Sequence, residues 1–538
     1  MKKYIRIITV SYATRKVLLI KENDNWGMLE DKHEIGTVEA LVKKLYFQKL
    51  RQNYNFYMTG ERYEDTIEKQ GILIQYVWVF TCSEYFEQSS VEYRWSEVEE
   101  LCVSEEIKQY IKNHINREII IKYGKIVGTK KHFVDKSANI QGSKQAYSRV
   151  IPLKLLHPEI KIQNAPQILD VFYLRQVLEK SNQIQNEFVI NDELCYSWGI
   201  MNMVPMLLNK HHRVIIQKTP AGCKIGDRTF DFYLYVMKVF GVYMKFDNDT
   251  MLLEYKQWKG DKQIEIPIFA SFTATSMAVY FALLGKGVTV IRHASIEPEI
   301  LFLLESINKL GYQVDRCVRT IRIDSRRDET VSLCQEIIVP IDRNVLVTQL
   351  VDAIYEEKNF LYLGQSNLYL DELIEKMKEF NVNIKYDNKS VRIDLPKNGK
   401  TYSHHMVFGH YPDLCTDWQP LLTILCIDSK EETFIYDKVF NDRYRYLAQL
   451  KQIYPGLEIG IFRNLAILKN MDKDLRNECL NMQEFPLLDI RAAAVVIIGL
   501  SKCTEFYLSN VTQLLRGYEN LFQISEYMGE NGEYEFRR

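Results

Sequence analysis

A cysteine, an aspartate and a closely spaced Asp–Arg pair stand out as groups able to do chemistry. Cys223 lies in Ala221-Gly222-Cys223-Lys224-Ile225-Gly226-Asp227-Arg228-Thr229-Phe230-Asp231, a polar loop flanked by Gly222, Lys224 and Arg228. Positive charge near a thiol lowers its pKa and makes thiolate available. The plainer alternative is an inert structural cysteine. Asp417, in Thr416-Asp417-Trp418-Gln419-Pro420, follows the Tyr411-Pro412 break, in a turn of the kind that carries function. Equally, an aspartate there caps the helix expected over Trp418 to Leu425. Asp489 stands two residues before Arg491 and either orients that arginine or caps the apolar helix that follows.

These groups sit at turns of a repeating frame. From about residue 119, strands begin near Ile160, Val214, Val288, Phe360, Thr433 and Phe506, the last five starts 72 to 74 residues apart. A polar turn and an amphipathic segment follow each strand: Val171 to Ser181, Phe232 to Gly241, Glu299 to Gly311, Leu370 to Asn381, Tyr444 to Gly456 and Tyr518 to Gly529. Leu301, Leu304, Ile307 and Leu310 show the one-sided spacing of a surface helix. Terminal Gly or Asn supplies a left-handed cap. Before the strands lie more uniformly apolar stretches, such as Met277 to Leu284 and Ala492 to Leu500, which demand burial on all sides. Each unit therefore offers an interior helix, a strand and an exterior helix. The dinucleotide-type Gly fingerprint is missing, so the six units predict two similar lobes with helices packed inside, rather than a Rossmann sheet.

Bulk properties exclude other classes. The 538 residues carry Lys+Arg 69 against Asp+Glu 70, so no basic field exists to hold nucleic acid. The apolar runs fall short of a bilayer span, and no membrane association is expected. Ten cysteines without CxxC pairs suit a reducing, cytoplasmic setting and give no metal-ligand spacing.

Between about Gly124 and Glu535 the chain resembles the UDP-N-acetylglucosamine enolpyruvyl transferase (1-carboxyvinyltransferase) family, relatives of 5-enolpyruvylshikimate-3-phosphate synthase. Five motifs carry the resemblance: Ile140-Gln141-Gly142-Ser143-Lys144-Gln145-Ala146, the Cys223 loop, His293-Ala294-Ser295-Ile296-Glu297-Pro298-Glu299-Ile300, the Asp417 turn with Val439-Phe440-Asn441-Asp442-Arg443-Tyr444, and Asp489-Ile490-Arg491-Ala492-Ala493-Ala494 with Arg516-Gly517-Tyr518-Glu519-Asn520. The resemblance implies a two-lobed inside-out α/β barrel of six βαβαββ-type repeats. One lobe would take residues 144–337 and the other residues 118–143 and 338–538.

It also implies a reaction, movement of the enolpyruvyl group of phosphoenolpyruvate to a nucleotide-sugar or nucleotide hydroxyl with loss of phosphate. No cofactor or metal is called for. Phosphoenolpyruvate carries a phosphate and a carboxylate, which fixed cations must gather; the resemblance assigns Lys144, Arg228, Arg491 and Arg516 to that task. Asp417 would contact the acceptor hydroxyl and act as general base. Cys223 would take part in proton transfer and be the residue alkylated by fosfomycin. Asp231 and Arg443 would line the acceptor side, or else form a helix-capping pair.

Departures concentrate on the acceptor side. Gln145 replaces the family's asparagine. Ser197-Trp198-Gly199 stands where the family has Arg-Ala-Ser, and Ser271-Phe272-Thr273-Ala274-Thr275-Ser276-Met277 lacks a usual glycine. A Gly-rich turn has become Arg316-Cys317-Val318-Arg319-Thr320. A different acceptor, a phosphorylated carbocycle as in the shikimate branch, or a non-catalytic nucleotide-sugar sensor are the competing expectations.

Residues 1–117 resemble a degenerate Nudix domain, a small α+β unit, through Lys16-Val17-Leu18-Leu19-Ile20-Lys21, Trp26-Gly27-Met28-Leu29 and Glu92-Tyr93-Arg94-Trp95. Active members hold Mg²⁺ with glutamates; here the corresponding segment is Lys43-Lys44-Leu45-Tyr46-Phe47-Gln48. Pyrophosphate hydrolysis is therefore not expected. A role in protein or self-contact is.

Overall fold

Interior helices set the architecture. In the computed structural model the described residues are 2–11, 17–22, 25–32, 56–67, 72–81, 91–101, 105, 108, 121–123, 138–183, 186–191, 194, 197–217, 230–247, 250–255, 260–267, 271–327, 336–364, 366–394, 402–471, 484–500, 506–509, 512–519, 525–528 and 534–537. Every residue of the helix Phe272–Leu284 from Ala274 onward is buried, as is all of Ile490–Leu500. Neither helix has a polar face, so each must be covered on all sides. Each large apolar side chain so buried contributes ~1.5–3 kcal/mol.

The predicted repeat unit is visible in hydrogen bonding. Strand Lys262–Glu265 runs parallel to Val288–Arg292, with the helix Phe272–Leu284 between them in sequence. The exterior helix Pro298–Lys309 follows, and the hairpin Gln313–Cys317/Thr320–Asp324 returns antiparallel to Val288–Arg292. The same order recurs from Phe188–Ile190 to Thr250–Glu254 and from His405–Gly409 to Leu465–Asn470. All six anticipated strands exist, at Lys161–Gln163, Arg213–Ile216, Val288–Arg292, Phe360–Leu363, Thr433–Asp437 and Phe506–Ser509. Gly241, Gly311 and Asn381 adopt positive φ at exterior-helix ends, where a left-handed residue closes the last turn.

The sixth exterior helix differs from expectation. Of the segment Tyr518 to Gly529, the described residues 518–519 and 525–528 are not helical: a short helix occupies Thr512–Leu515, and Ser525–Met528 pairs antiparallel with Tyr534–Arg537. Gly517 packs against Ile490, its ideal Cβ only 2.3 Å from Ile490 Cγ2, and the Tyr518 ring is buried. The chain at that point is thus committed to packing rather than to a surface helix.

Two hydrophobic cores result. One runs from Ala146 to Val339. The other joins Ile140 to residues 345–518 around the helices Arg343–Tyr355, Gln419–Leu425 and Ile490–Leu500, which touch one another. The chain crosses between the cores at adjacent places. Glu336–Ile338 pairs parallel with Lys161–Gln163, Gly142 bridges Ile341, and Ser143 N–H donates to the Pro340 carbonyl at 2.7 Å.

At the N-terminus, Lys2–Ser11, Val17–Glu22, Asn25–Gly27, Leu29–Lys32, Phe56–Ile67, Ile72–Thr81 and Tyr93–Ser96 form one seven-stranded mixed sheet, with Lys2–Ser11 parallel to Ile72–Thr81. The Arg94 guanidinium lies 4.8 Å from the Trp26 ring. The helix expected over Val38 to Leu50, with Lys43 to Gln48, lies outside the described residues. Among the described residues no helix is long and apolar enough to cross a membrane.

Candidate active site

Asp417 is built by a strand-to-helix turn. Strand Leu414–Cys415 ends, a single 3-10 turn spans Thr416–Trp418, and the helix Gln419–Leu425 begins with Pro420 in its first turn. Neither helical segment uses a side-chain N-cap here, so the capping reading of Asp417 does not hold. Instead its Oδ1 accepts from Arg443 Nη2 at 2.7 Å. Its Oδ2 accepts from Arg491 Nη2 at 3.3 Å and from Asn344 Nδ2 at 3.2 Å. Burial alone would raise the Asp417 pKa; Arg443, Arg491 and, at longer range, Lys144 override it and hold the carboxyl well below the usual range.

The arginines are themselves fixed. Arg443 Nη1 donates to Thr416 Oγ1 at 2.7 Å, and its guanidinium sits 4.7 Å from the Phe440 ring. Arg491 Nη1 donates to the Tyr518 hydroxyl at 2.8 Å. Asp489 Oδ1 accepts the backbone N–H groups of Arg491 and Ala492 at 2.9 and 3.0 Å. It caps the buried helix and acts on Arg491 only through the backbone.

A second carboxylate gathers the remaining cations. Ser143 caps the helix Lys144–Val150 by accepting from Ala146 N–H. Lys144 Nζ donates to Asp170 Oδ2 at 2.9 Å and to the Arg516 carbonyl at 3.3 Å. Arg516 Nε donates to Asp170 Oδ1 at 2.9 Å. Asp170 is 3% exposed. Burial raises its pKa, yet Lys144 and Arg516 outweigh that and leave it lowered. Ser197, at the position where a family cation is missing, donates to Asp170 Oδ2 at 3.3 Å.

Asp342 ties the two groups together. Its Oδ1 accepts Asn344 N–H and Val345 N–H, capping the helix Arg343–Tyr355, while Oδ2 accepts Lys144 N–H at 3.1 Å. Asn344 Oδ1 accepts the Trp418 indole N–H at 2.8 Å, which turns its amide nitrogen toward Asp417.

The structure thus brings together Lys144, Asp417, Arg443, Arg491 and Arg516. Asp231 lies apart, exposed in the first turn of Asp231–Val239, and Arg443 pairs with Asp417, so the two are not a capping pair. Gln145 Oε1 accepts from Arg149 Nη1 at 2.7 Å. Cys223 and Arg228 lie outside the described residues. Sequence reasoning missed Asp170, Asp342, Asn344, Tyr518 and Arg149. An Asp three residues before the apolar run from Val345 signals the Asp342 cap. An acid in a helix's first turn, like Asp170, is too ordinary to be noticed. Among the described residues no group of three or more His, Cys, Asp or Glu side chains could hold a metal.

Known proteins resemble this chain across most of its length. UDP-N-acetylglucosamine 1-carboxyvinyltransferase of Thermotoga petrophila is 26% identical over 432 residues, covering 76% of this chain and 99% of the relative. The Staphylococcus aureus (strain MRSA252) protein UDP-N-acetylglucosamine 1-carboxyvinyltransferase 1 is 26% identical over 432 residues, covering 75% and 96%. Among solved structures, the enolpyruvyl transferase NikO from Streptomyces tendae superimposes with a TM-score of 0.62 at 14% identity, over 76% of this chain and 97% of that one. EPSP synthase from Acinetobacter baumannii gives 0.53 at 13% identity, over 78% and 99%. The fold is that of the enolpyruvyl transferases. No protein-family model matches the sequence.

Proposed function

We propose that this chain, a homologue of the UDP-N-acetylglucosamine 1-carboxyvinyltransferases, transfers the enolpyruvyl group of phosphoenolpyruvate to a hydroxyl of a nucleotide-sugar or nucleotide and releases phosphate. The observation that carries the reading is the gathering of Lys144, Arg443, Arg491 and Arg516 about two carboxylates where the two cores meet. Four fixed cations suit a substrate that bears both a phosphate and a carboxylate.

The chemistry follows from those residues. In the addition step the acceptor oxygen bonds to C2 of phosphoenolpyruvate, C3 gains a proton, and the hydroxyl proton leaves to Asp417. In the elimination step the C2–O bond to phosphate breaks, C3 returns a proton, and the double bond re-forms. Lys144, Arg491 and Arg516, joined by Arg228 through its likeness to the family's arginine, offset the charge of the phosphate and carboxylate throughout. Cys223 handles protons at C3, by its likeness to the family's cysteine.

Asp417 is a weak base while two arginines hold it. Anionic phosphoenolpyruvate competes for Arg491, and engaging that arginine loosens its grip on Asp417 Oδ2. Substrate binding then raises the basicity of the carboxylate that must take the proton. Arg443 keeps Oδ1 oriented meanwhile.

The division into residues 1–117, 144–337, and 118–143 with 338–538 fits this reading, with the site between the last two and the N-terminal Nudix-like unit serving protein or self-contact. A cytoplasmic setting and absence of nucleic-acid and membrane partners accord with it. The grip of two arginines on Asp417 favours one second reading, a non-catalytic nucleotide-sugar sensor. Phosphate release from phosphoenolpyruvate, measured with a panel of UDP-sugars and nucleotides, separates them. Release with at least one acceptor supports transfer; binding without release supports the sensor.

A further inference from the structure

Two positions that depart from the family, Gln145 and Thr273, contact one buried cation, Arg149. It is 3% exposed at the end of the helix Lys144–Val150, with its Cζ 3.5 Å from the Phe272 ring centroid. Among the described residues no carboxylate lies within ion-pair distance of it. Glu299 and Glu297, which act on it through space, are both in direct ion pairs with Arg343. Burial pulls its pKa down to about 10, so it stays charged at neutral pH.

What Arg149 touches decides the matter. Nη1 donates to Gln145 Oε1 at 2.7 Å and to Ser148 Oγ at 2.6 Å, and Nη2 donates to Thr273 Oγ1 at 3.3 Å. A guanidinium has no acceptor, so the atom of Gln145 that faces it is the carbonyl oxygen. The amide nitrogen of Gln145 is turned the other way and makes no hydrogen bond among the described residues. Thr273 accepts from Arg149, which leaves its own O–H free to donate elsewhere. Both side chains are half-buried. Another departure, Trp198, stacks on Tyr233 at 5.5 Å, and Tyr233 is among the groups acting on Arg149.

We propose that Arg149 sets acceptor specificity: it turns Gln145 and Thr273 outward as two donors backed by positive charge, so the acceptor subsite selects a phosphate oxygen and discriminates against neutral hydroxylic acceptors. This rests on the transfer reading for the identity of the subsite, since Gln145 directly follows Lys144. A point-charge ammonium cannot hold both partners as a planar fork does. Gln145→Glu replaces the outward N–H₂ with a carboxylate, and Thr273→Val removes the second donor with little change in shape.

The test compares wild type with Arg149→Lys, Gln145→Glu and Thr273→Val in phosphate release from phosphoenolpyruvate. Acceptors are supplied as pairs that differ in phosphate, UMP against uridine and N-acetylglucosamine 1-phosphate against N-acetylglucosamine. Wild type is expected to favour the phosphorylated member. Each variant should raise KM for it at least roughly tenfold, with KM for phosphoenolpyruvate unchanged. Wild-type behaviour in Gln145→Glu and Thr273→Val overturns the proposal, as does an equal rise in both KM values, which marks a structural role. If none of these acceptors elicits phosphate release from wild type, the transfer reading fails, and calorimetry with UMP and uridine then decides the specificity proposal. Weaker UMP binding by Thr273→Val supports it; equal binding, or none to any protein, overturns it.

Discussion

Replacing Asp417 with asparagine removes a negative charge from between two buried guanidiniums while nearly preserving shape. Arg443 and Arg491 are 4% and 7% exposed at their side chains, and their distances to the carboxylate are 2.7 and 3.3 Å. The new amide offers one oxygen, which Arg443 retains. The amide nitrogen then faces two donors, Arg491 Nη2 and Asn344 Nδ2. Losing one member of a buried ion network costs about 3–5 kcal/mol, a cost visible in a urea melt. Catalysis should fall further. General-base assistance is worth about 10²- to 10⁴-fold, or about 2.7–5.4 kcal/mol of barrier. Phosphoenolpyruvate binding should move the other way, because the variant removes a carboxylate that competes for Arg491. The assay is steady-state phosphate release together with direct titration of phosphoenolpyruvate. Turnover within about threefold of wild type, in protein shown to be folded, would refute the base role; weakened phosphoenolpyruvate binding would refute the competition for Arg491.

Other consequences are open to simpler measurement. Asp170→Asn strips the carboxylate from between Lys144 and Arg516, both at 2.9 Å, and should destabilise by about 3–5 kcal/mol; inorganic phosphate should restore part of the loss, and a melt insensitive to phosphate would count against a phosphate site there. Asp170 and Asp417 both have lowered folded-state pKa values, so the stability they contribute is present above the unfolded value of about 3.9 and is lost as pH falls further. Urea midpoints between pH 5 and 3 should therefore fall more steeply for wild type than for an Asp170→Asn, Asp417→Asn double variant; parallel curves would contradict the assignment. Cys223→Ala should cut turnover and abolish labelling by fosfomycin, read by intact mass; undiminished turnover would remove the thiol from the mechanism.

Much of the frame is legible in the sequence because each unit solves one local problem. An all-apolar segment such as Ala492 to Leu500 has nowhere to go but inside, and a stripe such as Leu301, Leu304, Ile307 and Leu310 has one place to face. The sixth unit escapes because its spacing is helical by chance: Gly517 and Tyr518 are fixed by contacts with Ile490 and Arg491, residues distant in sequence. The site divides similarly. Motifs point to Lys144, Asp417, Arg443, Arg491 and Arg516, whereas Asp170 is a common residue type made special by two cations from remote segments. Arg149 reads as an ordinary basic residue at a helix end until Phe272 and Thr273 are seen to enclose it.

The seam at which the chain changes lobes has a kinematic meaning. Gly142 bridges Ile341 and Ser143 N–H donates to the Pro340 carbonyl, so the two crossings touch backbone to backbone, and a Cβ at Gly142 would come within 1.7 Å of the Asn164 carbonyl oxygen. Any rotation of one lobe against the other must pivot there. Lys144 and Asp342 sit beside the axis and sweep short arcs. Lys144 and Gln145 are neighbours in one helix at this seam, so the residue that would meet phosphoenolpyruvate and one that would sort acceptors share a single fixed piece of backbone.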